Sequence, residues 1–224
     1  MSGIVGSSHN IRGSGIVAKL GTDGQVFTSS GAGLSQTCED AAGGGSWNLI
    51  KTQTITSTTA TMDFVDGTSS VVFDSTYKMY VCILTDFRPV NDGVNLELVI
   101  SLDTGSSYQS SGYEAGEHGT YWASGVGEGE YTKFVTDAMM ANQANGNATT
   151  ELGATTIWMP NPSDSGGYPY TYHQTICTKD NSNYIRPGNG GGRYNTATAY
   201  DAFRLQYSSG NILEGIASLY GITT

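Results

Sequence analysis

The feature that most constrains this chain is an alternation of apolar and polar side chains that returns in segment after segment. It is clearest near the end, where the apolar residues are Phe203, Leu205 and Tyr207. Because successive side chains of a β-strand point to opposite faces, this period of two predicts a half-buried strand. The turn-forming run 208–211 follows, and a second apolar series ends at Ile222, so we expect a hairpin. A hairpin alone is marginal in water, so it must pair with strands from much earlier in the chain.

Further segments have strand character and are separated by turn signals. They are 47–57, 61–65, 77–87, 94–102, 119–124, 154–159 and 168–178. The run 77–87 is apolar on both faces, which predicts a central strand that pairs antiparallel with 94–102. The stretch 132–145 has helical spacing of its apolar residues, whereas the glycine-rich 181–195 is predicted to be a loop. Eight to ten strands with at most one helix predict an all-β fold, an antiparallel β-sandwich of the jelly-roll type.

Residues 1–45 differ in composition from the rest, which predicts two domains, 1–45 and 46–224. The first is rich in glycine and repeats Ser-Gly-Ile-Val at 2–5 and 14–17. It buries too little to stay ordered alone, yet it is too apolar for a free tail. We therefore predict an extended assembly arm with a hairpin over 16–28 and a linker at 41–46; the alternative is a flexible terminus. The arm's apolar contact residues are Ile4, Val5, Ile11, Ile16, Val17 and Leu20.

Charge and cysteine content argue against several function classes. The chain has 10 Lys and Arg against 20 Asp and Glu, a net charge of −10, which disfavours nucleic-acid binding through phosphates. No apolar run approaches the roughly 20 residues of a membrane span, and no signal peptide is evident. Cys38, Cys82 and Cys177 are odd in number without CxxC spacing, so neither a disulfide framework nor a zinc site is predicted. Cys82 is expected in the core.

No motif in the sequence predicts catalysis, a metal ion or a cofactor. The segment 114–118 is acidic and contains a histidine, but its glycines interrupt any helix that could bring metal ligands to one face. We expect a solvated loop there, and His173 stands alone in sequence. Folding could still bring two acids together as glycosidases require, with Glu117, Glu128 and Glu130 as candidates. A polysaccharide-degrading enzyme is therefore the alternative to our prediction of a non-enzymatic protein.

Aromatic residues define the predicted recognition surface. Tyrosines at alternate positions in 168–172 share one face of a strand, and others lie in the Gly- and Ser-rich stretch 103–130. Tyr, Gly, Ser and Asn together make adaptable binding surfaces, and aromatic faces beside amides suit a sugar ring. The candidate glycan-binding residues are Tyr113, Tyr121, Trp122, Tyr168, Tyr170 and Tyr172. The same composition also serves to cover a sandwich or to form a subunit interface.

Two stretches resemble structural proteins of tailed phages. The segment 20–33, Leu-Gly-Thr-Asp-Gly-Gln-Val-Phe-Thr-Ser-Ser-Gly-Ala-Gly, resembles the G-x-D-G-Q-V-L-T-S-x-G segment of phage fibre proteins, with Phe27 where leucine is commoner. The C-terminal stretch from Arg204 to Ile222 resembles the ends of tail-fibre and fibre-like jelly-roll virion proteins, which are abundant among marine phages.

The resemblance implies a virion structural protein of the tail-fibre or capsid-decoration kind, made in the host cytoplasm. It implies a homotrimer that attaches to other capsid or tail proteins through the N-terminal arm and displays its sandwich on the particle surface, where it could bind host surface glycans. The alternative within this class is a carbohydrate-binding adhesin, for which recognition of a receptor is the main role.

Overall fold

The computed structural model of the chain describes residues 46–123, 127–179 and 184–223, together with the short strands β1 (Gln25–Thr28) and β2 (Thr37–Asp40). The chain divides into two units, Met1–Gly45 and Ser46–Thr224. In the first, β1 pairs antiparallel with β2. Residues 41–45 of the predicted linker and residues 16–24 of the hairpin predicted over 16–28 lie outside the described residues. So do the predicted arm contacts Ile4, Val5, Ile11, Ile16, Val17 and Leu20.

The described part of the second unit confirms the all-β prediction, since it forms two antiparallel sheets and contains no helix. Its strands are β3 (Trp47–Ile55), β4 (Thr61–Val65), β5 (Met79–Pro89), β6 (Val94–Ser101), β7 (Tyr113–Ala123), β8 (Gly127–Val135), β9 (Met139–Asn145), β10 (Gly153–Pro160), β11 (Tyr170–Thr178), β12 (Ile185–Tyr194), β13 (Ala202–Tyr207) and β14 (Ile212–Ile222). The large sheet has the order β3-β14-β5-β10-β11-β12-β7-β8, and the small sheet has the order β4-β13-β6-β9.

The connectivity is that of a jelly roll. The first four strands of the large sheet, β3-β14-β5-β10, match the small sheet β4-β13-β6-β9 position by position, and each matched pair is consecutive along the chain. Each pair therefore sends one strand to each layer, which is how two Greek keys build a sandwich. The strand pairs β11–β12 and β7–β8 extend the large sheet beyond this eight-stranded body, and we call these four strands the extension.

Two predicted hairpins are wrong for one common reason. The strands β5 and β6 do not pair with each other, and neither do β13 and β14, because each connection crosses from one sheet to the other. The two crossing turns lie side by side: the Asn91 Nδ2 donates to Ser209 Oγ at 2.8 Å, and the Ser208 N–H donates to the Asn95 carbonyl at 2.8 Å. Alternation in the sequence specifies which face of a strand is buried, but it does not specify the sheet to which that strand belongs.

The core lies between the two sheets and is largely aliphatic and aromatic. Phe64 on β4 stacks on Phe203 on β13, with ring centroids 4.8 Å apart. The strand β5 lies between β14 and β10, and Tyr80, Val81 and Cys82 are all buried. This confirms the central strand covered on both faces and the core position of Cys82. Full burial of each large apolar side chain contributes about 1.5–3 kcal/mol.

The predicted helix at 132–145 is wrong. This stretch contains the end of β8 and all of β9. Phe134, one of the apolar residues with helical spacing, is 77% exposed, while Met139 and Met140 are buried. Pairing with β6 gives Met139–Asn145 backbone hydrogen bonds along one edge, and this pairing overrides the helical spacing of the apolar residues.

The predicted loop at 181–195 is wrong over most of its length, because Ile185–Tyr194 forms β12 between β11 and β7. A side chain at Gly190 would collide with the Gly116 carbonyl oxygen. The glycines of this strand therefore permit close approach of neighbouring backbones, which is an established role for glycine within a strand.

Candidate functional site

The outer face of the large sheet carries an aromatic row formed by Trp47, Tyr220, Trp158 and Tyr172, one each from β3, β14, β10 and β11. Trp158 stacks on Tyr172 with ring centroids 5.5 Å apart and planes 2° apart. Trp47 meets Trp158 and Tyr220 edge-on at 5.6 and 5.8 Å. Strand alternation places these rings outside, since along β11 buried Thr171 and His173 alternate with exposed tyrosines.

Beyond Tyr172, the next two strands of the large sheet carry glycines at the positions in line with the row. Tyr172 pairs with Gly191 on β12, which pairs with Gly116 on β7, which in turn pairs with Phe134 on β8. Neither glycine carries a side chain, and the Phe134 ring lies against Gly116, with its Cδ1 2.9 Å from the position that a Cβ on Gly116 would take. Tyr172 is 43% exposed and Phe134 77% exposed.

A cavity of about 340 Å³ lies at the N-terminal end of β11, next to the aromatic row, and we call it the tyrosine cleft. Its walls include Tyr168, Tyr170, three prolines and the polar residues Asn161, Asp164 and Arg193. Tyr168 and Tyr170 are each 51% exposed. Small-ligand sites are typically clefts of this order of volume with aromatic walls and a few convergent polar groups.

The polar groups of the tyrosine cleft differ in how far they are already satisfied. Arg193 forms an exposed ion pair with Glu114 at 2.9 Å, and its guanidinium lies 5.3 Å from the Tyr168 ring centroid. Asp164 accepts a hydrogen bond from the Gly166 N–H at 2.9 Å. Within the described chain, the buried Oδ1 of Asn161 has no hydrogen-bond partner, and Asn161 holds a left-handed φ of 45°. An unpartnered buried acceptor is costly and is commonly satisfied by a ligand or a water.

The structure brings only three of the six predicted glycan-binding residues together. Tyr168 and Tyr170 line the cleft and Tyr172 lies in the adjoining row. Tyr121 and Trp122 lie at the opposite end of the extension, because Trp122 pairs with Ile185 and Ile185 with Thr178. Thr178 is eight positions beyond Tyr170 on β11, which separates the two groups by about 25 Å.

Tyr113 is a correction to the prediction, because it is only 1% exposed. Its hydroxyl accepts a hydrogen bond from the Ile100 N–H at 3.0 Å and donates to the Gln109 carbonyl at 3.2 Å. Burial raises the pKa of this phenol. Tyr113 is therefore a core residue and has no surface from which to contact a glycan.

The acidic segment 114–118 is also a correction, because it belongs to β7 and not to a solvated loop. Glu117 is 2% exposed, and its Oε2 lies 3.0 Å from the Nε2 of fully buried His173. The Tyr131 hydroxyl donates to Glu117 Oε1 at 2.6 Å. Burial, and then this hydrogen bond to Glu117, raise the pKa of Tyr131.

This buried cluster does not supply the acid pair of the enzymatic alternative. Glu117 pairs with Lys133 on β8, whereas Glu128 and Glu130 pair with Trp122 and Thr120. Lys133 is an odd number of residues from Glu128 and Glu130 along β8, so its side chain points to the other face of the sheet. The carboxylate of Glu117 therefore lies on the face opposite to those of Glu128 and Glu130. The sequence offered one signal that was missed: Glu117 lies in phase with Tyr113 and Ala115, both of which are buried.

Within the described residues, no group of three or more His, Cys, Asp or Glu side chains is placed to hold a metal ion. The same part of the chain contains no helix long and apolar enough to cross a membrane. The sequence matches no protein-family model, and no curated protein is significantly similar to it.

Proposed function

We propose that this chain is a non-enzymatic structural protein of a phage particle, and that its jelly-roll domain binds neutral glycans of the host surface in the tyrosine cleft. The observation that carries the glycan part is the meeting of exposed tyrosine rings with the polar residues Asn161, Asp164 and Arg193 in one cavity. The virion part rests on the resemblance of segments 20–33 and 204–222 to phage fibre proteins. Capsid decoration and tail fibre are both compatible with it.

The chemistry of the tyrosine cleft matches that of a pyranose ring. A sugar presents apolar C–H faces that stack on aromatic rings, which Tyr168 and Tyr170 supply at the cleft and Tyr172 supplies beside it. Its hydroxyl groups can donate to the carboxylate of Asp164, which lines the cleft. Arg193 is already paired with Glu114, so the cleft has little net positive charge. We therefore expect neutral sugars to bind better than anionic ones.

A glycan array probed with the full chain tests this part of the proposal. We expect binding to a restricted set of neutral glycans, and Tyr170→Ala should weaken it about tenfold or more, as loss of a central aromatic anchor does. The matched control is Trp122→Ala, an exposed aromatic residue about 25 Å away along the strands, which should bind as the parent chain does. Absence of binding to any glycan, or an equal loss in both variants, would contradict the proposal.

The virion part is tested separately by mass spectrometry of purified particles. We expect the chain as a stoichiometric component, and its copy number distinguishes a decoration protein, present in hundreds of copies, from a fibre present as a few trimers. Its absence from intact particles, combined with retained glycan binding, would leave the adhesin alternative in its place.

A further inference from the structure

A second cavity lies on the inner face of the extension, and we call it the inner cavity. It has a volume of about 300 Å³ and is lined by Tyr121, Tyr131, Lys179, Tyr184 and Arg186. Arg186 places a guanidinium in this cavity, in a chain that has only 10 Lys and Arg and a net charge of −10. A positive charge in a cavity favours an anionic ligand.

Arg186 is the central residue of this cavity. It is 5% exposed, and its guanidinium stacks on the Tyr131 ring, 3.8 Å from the ring centroid. Its Nη2 donates to Gln143 Oε1 at 2.9 Å, but its buried Nε has no hydrogen-bond partner in the described part of the chain. A buried guanidinium with an unsatisfied N–H destabilises the protein unless an acceptor forms a hydrogen bond with that N–H.

The nearby acid Glu117 is already occupied by other partners. Its two carboxylate oxygens contact His173 Nε2 and the Tyr131 hydroxyl. Arg186 stacks on the ring of that same Tyr131, and no direct bond joins it to Glu117 among the hydrogen bonds of the described residues. An oxyanion from outside the chain can therefore accept from Arg186 without displacing this buried cluster.

We propose that the inner cavity binds an acidic monosaccharide of the uronate type, through its carboxylate. A planar carboxylate matches the planar donors of the Arg186 guanidinium. Tyr121 and Tyr184 stand edge to face with centroids 5.2 Å apart, and they supply the aromatic wall for the sugar ring. The volume lies at the lower end of ligand cavities, which suits one monosaccharide.

The inner cavity is independent of the tyrosine cleft. It lies on the opposite face of the large sheet and about 25 Å further along the strands. The two sites also differ in the charge that they favour. Binding at one can therefore be lost while binding at the other is retained.

Titration of the full chain with sodium glucuronate, followed by NMR or calorimetry, tests the site. Glucose and inorganic sulfate are the matched probes, since the first lacks the charge and the second lacks the ring. We expect glucuronate to bind at least about tenfold more tightly than either probe, because both the charge-assisted bond and the aromatic contact contribute. Equal affinity for sulfate would overturn the assignment to a sugar, and absence of glucuronate binding would overturn the site.

Two variants locate the binding. Arg186→Gln should weaken glucuronate about tenfold or more while leaving neutral-glycan binding at the tyrosine cleft unchanged. Because Arg186 is buried and its replacement can impair folding, Tyr184→Ala is the second variant, and it should weaken glucuronate but not sulfate. Parent-like glucuronate affinity in a folded Tyr184→Ala variant would overturn the proposed aromatic wall.

Discussion

The carboxyl of Glu97 on β6 should make the stability of the fold depend on pH. Glu97 is 5% exposed, and burial, followed by the negative charge of Asp137, raises its pKa from 4.5 to about 7, although a hydrogen bond from Gln206 opposes the rise. At about 1.4 kcal/mol per pH unit, ionisation of this carboxyl destabilises the folded state by about 3 kcal/mol.

The sign follows from proton binding. Between pH 4.5 and about 7 the folded state keeps the proton that the unfolded state releases, so this contribution to stability is complete below that range and is lost as pH rises through it. Glu97→Gln removes the titration and keeps the shape. We expect the variant to be more stable than the parent by about 1 kcal/mol at about pH 5.5 and by about 3 kcal/mol at about pH 8.

Urea unfolding of both proteins across this pH range measures the difference directly. Asp137→Asn is the matched control, because it removes only the second cause of the shift and should give a smaller effect of the same sign. A stability difference between Glu97→Gln and the parent that does not change with pH would refute the reasoning, since a change in packing alone has no such dependence.

Two further predictions concern the extension of the large sheet. Glu117→Ala should lower the free energy of unfolding by about 3–5 kcal/mol, because it leaves His173 and Tyr131 without their buried partner. Glu114→Ala, on the same strand but in an exposed ion pair, should cost less than about 1 kcal/mol; similar losses in urea titrations of the two variants would contradict the buried cluster. Gly190→Ala should lower the free energy of unfolding by more than about 3 kcal/mol, because its methyl group would collide with the Gly116 carbonyl oxygen. Gly166→Ala is the control, because there is room for a methyl group there, and it should change the free energy of unfolding by no more than about 0.5 kcal/mol. Comparable melting temperatures for the two alanine variants would argue against the close approach of β12 to β7.

The sequence predicted the strands well where alternation is strong, as at β13, or where an apolar run is long, as at β5, and it predicted the fold class from their number. It failed at β12 because glycine carries no hydrophobic signal, and the reason for a glycine strand lies in the neighbouring backbones. It also failed at β9, whose apolar residues fit a helix as well as a strand.

The partners of the strands and of the site residues depend on long-range pairing. The apolar residues of β5 and β6 predict two buried strands, but they are equally compatible with a hairpin and with a crossing between sheets. In the tyrosine cleft, Tyr168 and Tyr170 could be predicted from their spacing. Asn161 carries no comparable signal, because only the fold places it beside them.

The placement of the last two strands has a consequence for biosynthesis. In the large sheet β14 separates β3 from β5, and in the small sheet β13 separates β4 from β6. Neither layer can therefore close until β13 and β14 have left the ribosome, and the earlier strands wait with unpaired edges. Slow formation of such distant pairings exposes a nascent chain to aggregation. Production of this domain should consequently benefit from low temperature and from chaperones that hold unfinished chains.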